Sequence, residues 1–138
     1  MSRWIGLDYG TKRIGVAITD SLRIFVSPYT TIPNQSREFV LAEIKKIVAQ
    51  QNVVKIIVGL PLGLNGEDTK KTKEVRIFYN FLRKEITIPL EWWDERYSTS
   101  EAHDLLKNKK LSWQESKKIV DQTAAAVILR SFLEHIRN

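Results

Sequence analysis

The chain contains no cysteine, one methionine and only two histidines. Without cysteine there is no disulfide, no thiolate nucleophile and no zinc site built on sulfur. His103 lies on a helix opened by a capping-box pattern, and His135 lies among terminal charges. Surface placement is the common outcome in both settings, so neither is read as a general base. No apolar run approaches the roughly 20 residues that cross a bilayer. Met1-Ser2-Arg3-Trp4 leads at once into a strand pattern. No signal peptide or membrane partner is therefore expected, and the cytoplasm is the default location. Repeats, low-complexity tracts and linkers are also absent. Residues 1–138 are read as a single domain around one core.

Basic residues outnumber acidic ones by 22 to 16, a net charge of +6. That excess favours an anionic partner, with nucleic acid first, although it also serves simply to keep a protein soluble.

Residues 3–20, RWIGLDYGTKRIGVAITD, organise the chain. Ile5 and Leu7, then Ile14, Val16 and Ile18, alternate as two strands around a tight turn at Gly10. Asp8 stands near the end of the first strand. A carboxylate there loses hydration, which is costly unless a positive charge or a metal offsets it. An aspartate beside a glycine also caps turns, and these residues alone leave both readings open.

Residues 24–33 read as a third strand, with Pro28 marking a bulge or an edge. Residues 36–51 carry apolar positions at helical spacing, and 53–60 (VVKIIVGL) form a strand buried on both faces. Residues 61–68 are a Gly- and Asn-Gly-rich loop, which the glycines leave free to close over a substrate. Residues 69–84 are a second helix and 86–93 a further strand. Ser98 to Glu101 and Ser112 to Glu115 are capping boxes, the second opening a helical pattern that runs to about residue 137. The order β-β-β-α-β-α-β-α-α predicts an α/β fold with a five-stranded mixed sheet flanked by helices.

Acids fall at the ends of these strands. Asp8 closes the first, and Asp94 and Glu95 close the last. Asp121 lies in the C-terminal helical region, with Ala124 and Ala125 beside it to permit close helix–sheet approach. Strand parity does not choose between Asp94 and Glu95, because both faces can be covered. Converging carboxylates of this kind form a hard-oxygen site suited to Mg²⁺ or Mn²⁺. Singly, each is equally well a turn cap, a local ion pair or a solvated helix residue. Trp92 and Trp93 adjoin the acids; aromatic residues in a strand are more often core than base-stacking platforms.

Four segments, GLDYGTKRIGVAITD, VGLPLGLNG, WDERYSTSEA and DQTAAAVILRSFL, together resemble the YqgF family, also called RuvX. In the loop segment this chain has Gly63 where the family usually has asparagine. The resemblance implies a ribonuclease H-like fold. It implies a metal-dependent endonuclease using one or two Mg²⁺ or Mn²⁺ ions. The substrate implied is pre-16S ribosomal RNA, alone or in a ribosomal precursor particle, ahead of a DNA four-way (Holliday) junction. It names Asp8, Glu95 and Asp121 as the catalytic and metal-binding acids, choosing Glu95 over Asp94. Lys12, Arg13 and Arg96 match its basic positions, and Lys70, Lys71, Lys73 and Arg76 would join them in holding a nucleic-acid backbone. Monomer and homodimer both stay open. Two rivals are a nucleic-acid-binding module without activity and an actin-like ATPase. The ATPase needs two such domains, and this chain has length for one.

Overall fold

The structure, a computed structural model, describes residues 2–97 and 113–137, with side chains along the last helix from residue 121 to residue 137. Its elements are β1 (Arg3–Tyr9), β2 (Arg13–Thr19), β3 (Val26–Pro33), α1 (Arg37–Gln51), β4 (Val53–Leu60), α2 (Lys70–Glu85), β5 (Leu90–Asp94), a 3₁₀ turn (Glu95–Tyr97) and α3 (Trp113–Arg137). The five strands form one sheet in the order β3-β2-β1-β4-β5. β1–β2–β3 is an antiparallel meander, and β4 and β5 run parallel to β1.

This is the expected mixed sheet, and the strand and helix order agrees with the sequence reading through β5. The 98–101 capping box and the helix through Leu105 and Leu106 lie outside the described residues. Two strands start later than periodicity predicts. β3 begins at Val26 rather than residue 24, and β5 covers Leu90–Asp94 rather than 86–93. The residues before β5 join the sheet only through the Pro89 carbonyl, which accepts from Ile56 N at 3.0 Å. Proline has no N–H to extend the ladder.

Pro28 meets both expectations placed on it. β3 is an edge strand, and its register against β2 slips between the Val16–Thr30 and Ala17–Pro28 pairs, leaving Tyr29 as the extra residue of a bulge.

Alternation along the strands divides the side chains between two layers. Ile5, Leu7, Ile14, Val16, Ile56, Val58 and Leu60 pack under α1 and α2, against Val40, Ile44, Val75, Phe78 and Leu82. Ala17 and Ile57 face α3, against Ala125, Ile128, Leu129 and Phe132. Because β1 and β4 are covered on both faces, their sequences read as nearly continuous apolar runs. α1 is delimited by local chemistry. Ser36 accepts from Phe39 N at 3.1 Å, and Asn52 closes the helix in the left-handed region at φ 55°.

Candidate active site

Asp8 lies on the α3 face of β1, at the end where β4 and β5 also finish. Its neighbours across the sheet are both glycines. Gly15 of β2 pairs with it directly, and Gly59 of β4 lies one step beyond the Leu7–Val58 pair. Each glycine leaves room for something else. A Cβ on Gly15 would lie 2.0 Å from the backbone oxygen of Asp121, so α3 rests its main chain on β2 there. A Cβ on Gly59 would lie 3.0 Å from Glu95 Cγ and 3.2 Å from its Cδ, so the Glu95 carboxyl lies over that position. The missing side chains on either side of Asp8 are what let the other two acids approach it. A glycine within a strand is the sequence signal for such an approach. The sequence reading passed over both, since each sits in an otherwise ordinary apolar run.

Glu95, not Asp94, turns toward Asp8. Asp94 ends β5 on the opposite face, buried, and its oxygens accept from Arg96 Nε and Nη2 at 2.6–3.1 Å and from Arg96 N at 2.9 Å. Burial alone would raise the Asp94 carboxyl, but the Arg96 hydrogen bonds outweigh it and hold the group below its ordinary range. Glu95 enters the 3₁₀ turn and crosses to the α3 side.

The Asp8 and Glu95 carboxyls lie within hydrogen-bonding reach of each other, a contact that raises Asp8 and lowers Glu95. Burial pushes Asp8 well above the usual carboxylate range, and the charges of Glu95 and Asp121 push it further. Lys71 pulls the other way without cancelling them. Glu95 is also raised, first by burial, against the opposing pull of Lys71 and of the contact with Asp8. Asp121 is close enough to raise Asp8, yet its own carboxylate accepts Arg13 Nε at 2.7 Å. Among the described residues, no three acidic or imidazole side chains are grouped closely enough to hold a metal ion.

The basic residues fall into two sets. Arg13 is paired with Asp121, Arg76 with Asp68 at 2.7 and 3.0 Å, and Arg96 with Asp94. Lys12, Lys70 and Lys73 are exposed. Lys71 leans over the Tyr9 ring, 6.0 Å from its centroid, toward the acid pair. The loop between β4 and α2 is tied in place. Gly63 N donates to Glu67 O, Gly66 N donates to Gly63 O, and Arg96 Nη1 donates to Leu64 O at 3.1 Å. Thr72, in a capping box with Thr69, donates its hydroxyl to the Pro61 carbonyl. Trp93 packs edge-on against Phe132 and donates Nε1 to Ser131 Oγ at 2.9 Å, while His135 lies over its ring. His103 lies outside the described residues.

Comparison with known proteins bears on the chain as a whole. The sequence profile of the RuvX family, described as Holliday junction resolvase, matches residues 2–135. A protein of Koribacter versatilis named "Putative pre-16S rRNA nuclease" is 36% identical over 96% of this chain and 86% of its own length. One of Maridesulfovibrio salexigens, with the same name, is 39% identical over 94% of this chain and 96% of its own. The structure of Fowlpox virus resolvase with Holliday junction DNA superposes with a TM-score of 0.61 at 10% identity, covering 99% of both chains. T. thermophilus RuvC with a Holliday junction substrate also gives 0.61, at 11% identity over 98% of this chain and 96% of that one. At such identities the structural likeness establishes the ribonuclease H-like fold alone. The sequence matches, running almost end to end, establish that the chain belongs to the RuvX family.

Proposed function

We propose that this chain is a cytoplasmic, metal-dependent endonuclease that hydrolyses phosphodiester bonds in maturing the 5′ end of pre-16S ribosomal RNA. The observation that carries the reading is the Asp8–Glu95 pair. Two half-buried carboxyls lie side by side, burial raises both, and the charge of a third carboxylate, Asp121, raises Asp8 further. A site of that kind is completed by a cation. The donor set is carboxylate oxygen, which suits Mg²⁺ or Mn²⁺ rather than softer metals. Asp8 and Glu95 would hold one or two such ions, with Asp121 joining them once released from Arg13. When bound, the metal lowers the pKa of an attacking water and stabilises the charge on the departing oxygen.

The chain's own groups have defined tasks in this reading. Asp8 would be a ligand of the ion. Lys71 stands beside the pair and draws a phosphate toward it. Lys12, Lys70 and Lys73, with Arg13, Arg76 and Arg96 once released from their acid partners, hold the flanking backbone. No protein nucleophile is required, in keeping with a chain that lacks cysteine.

The names of the curated relatives support RNA as the substrate. The description of the family favours one second reading, a Holliday junction resolvase. That activity needs paired cuts and therefore a two-fold dimer. Labelled precursor ribosomal RNA and a four-way DNA junction, each with Mn²⁺ or with chelator, separate the two. RNA cleavage lost with chelator and in Asp8→Asn is the expected result. Symmetric junction cuts would move the assignment to resolvase. Binding without cutting, on naked RNA and on precursor particles alike, would reduce the chain to a binding module.

A further inference from the structure

Asp121 is the acid of the three that an arginine holds: Arg13 Nε donates to its Oδ2 at 2.7 Å, with the two side chains 30% and 20% exposed. Arg13 opens β2, and Gly15, two residues along the same strand, receives the main chain of Asp121. The ion pair therefore joins two elements already fixed against each other by backbone packing. Little side-chain freedom remains to be lost in forming it, unlike most surface pairs. Guanidinium does not deprotonate in proteins, so Asp121 is freed only by displacement.

Resting on the nuclease reading, we propose that Arg13 is a built-in substitute for the divalent cation at Asp121. It holds that carboxylate while no metal is bound and is displaced when an ion takes the same oxygens. Two consequences follow from the geometry. A metal ion entering the site must compete with an intramolecular cation. The displaced guanidinium is left beside the acids, where a substrate phosphate would lie and where its planar fork makes paired hydrogen bonds. Metal and phosphate then favour each other reciprocally, since each relieves Arg13 of a competing partner.

Calorimetric titration of Mn²⁺ alone into the full chain tests this without reference to cleavage. Four proteins are needed: parent, Arg13→Gln, Asp121→Asn and the double variant, with melting temperatures in chelator recorded beside them. Loss of a competing charge-assisted hydrogen bond should tighten Mn²⁺ binding in Arg13→Gln by about 3- to 30-fold. In the Asp121→Asn background the same substitution should change affinity by less than about twofold, because the competition has no site. Arg13→Lys keeps the charge but loses the Nε contact. It should fall between parent and Arg13→Gln, and it serves in place of the glutamine variant if that one melts early. Unchanged or weaker Mn²⁺ binding in Arg13→Gln overturns the proposal and makes Arg13 an orienting partner of a metal-bound Asp121. An equal gain with and without Asp121 also overturns it, assigning the effect to net charge. A parent chain that binds no Mn²⁺ sinks the metal reading as well, whereas a flat series on a parent that does bind sinks this proposal alone.

Discussion

Between Gly15 and Gly59, Asp8 lies beside Glu95 and within reach of the Asp121 charge, and its raised proton affinity has a consequence for stability. Burial is the largest cause of that affinity, followed by Glu95 and Asp121. The folded chain thus binds this proton more tightly than the unfolded chain. In chelator, the Asp8 contribution to stability is fully present below the ordinary aspartate range and is lost as pH rises through the raised, folded value. Asp8→Asn should therefore melt at a higher temperature than the parent at pH 8 in chelator, with the difference shrinking toward pH 4. The same variant should bind RNA and leave it uncut; parent-like cleavage would refute the site. The flanking glycines separate stability from activity. Gly15→Ala drives a Cβ into the Asp121 main chain, which has no way to yield, and should cost about 1–3 kcal/mol or more in denaturant titration. Gly59→Ala meets Ile128 Cδ1 at 2.4 Å, a flexible tip, and then the Glu95 side chain. It should cost less stability than Gly15→Ala and more activity than its stability loss explains. At this scale Asp8 was legible in the sequence, because a carboxylate ending an apolar strand stands out. The choice of Glu95 over Asp94 was not legible from parity. It depends on which face α3 covers and on a 3₁₀ turn that carries Glu95 across, both settled by tertiary packing.

The segment from β4 to α2 shows how an element is held as well as how it is formed. Its capping box was within reach of a sequence reading, since Thr69 precedes the apolar spacing of the helix. The second task of Thr72 was not. Its buried hydroxyl serves both the Thr69 N–H, at 3.0 Å, and the Pro61 carbonyl at the root of the loop. Thr72→Val keeps the shape and leaves both groups without that partner, and should cost about 1–3 kcal/mol in denaturant titration. Sequence suggested a loop free to move because it is rich in glycine. In the structure, hydrogen bonds within the loop and the Arg96–Leu64 contact restrain it. Gly66, at φ +82°, lies under the Arg96 guanidinium, 3.6 Å from a would-be Cβ to Nη1. The late start of β5 has a similar origin, since 86–89 carry strand-like residues but no ladder of partners.

For the molecule as a whole, charge and topology act together. Helices cover both faces of the sheet, and the acid site opens where β1, β4 and β5 end, with the lysine-rich start of α2 beside it. Lys70 and Lys73 are exposed and, among the described residues, form none of the salt bridges that occupy Arg13, Arg76 and Arg96, although the Lys73 charge reaches Asp68. If they hold phosphates, Lys70→Gln/Lys73→Gln should weaken RNA binding at low salt. It should also flatten the slope of log K against log salt by about 1.4, or roughly 0.7 per contact on a single strand. An unchanged slope would place the strand elsewhere. Net charge had indicated an anionic partner but not a face, because a count of lysines and arginines does not reveal which are already paired.

The acids come from opposite ends of the chain: Asp8 from the first strand and Asp121 from the last helix. Strands β1–β3 pair locally and can form early in synthesis, as domains tend to fold from the amino terminus onward. Asp121 reaches Gly15 only when α3 packs down, after nearly all of the sequence has been made. A nascent chain in which α3 has not yet packed therefore lacks the Asp121 side of the site.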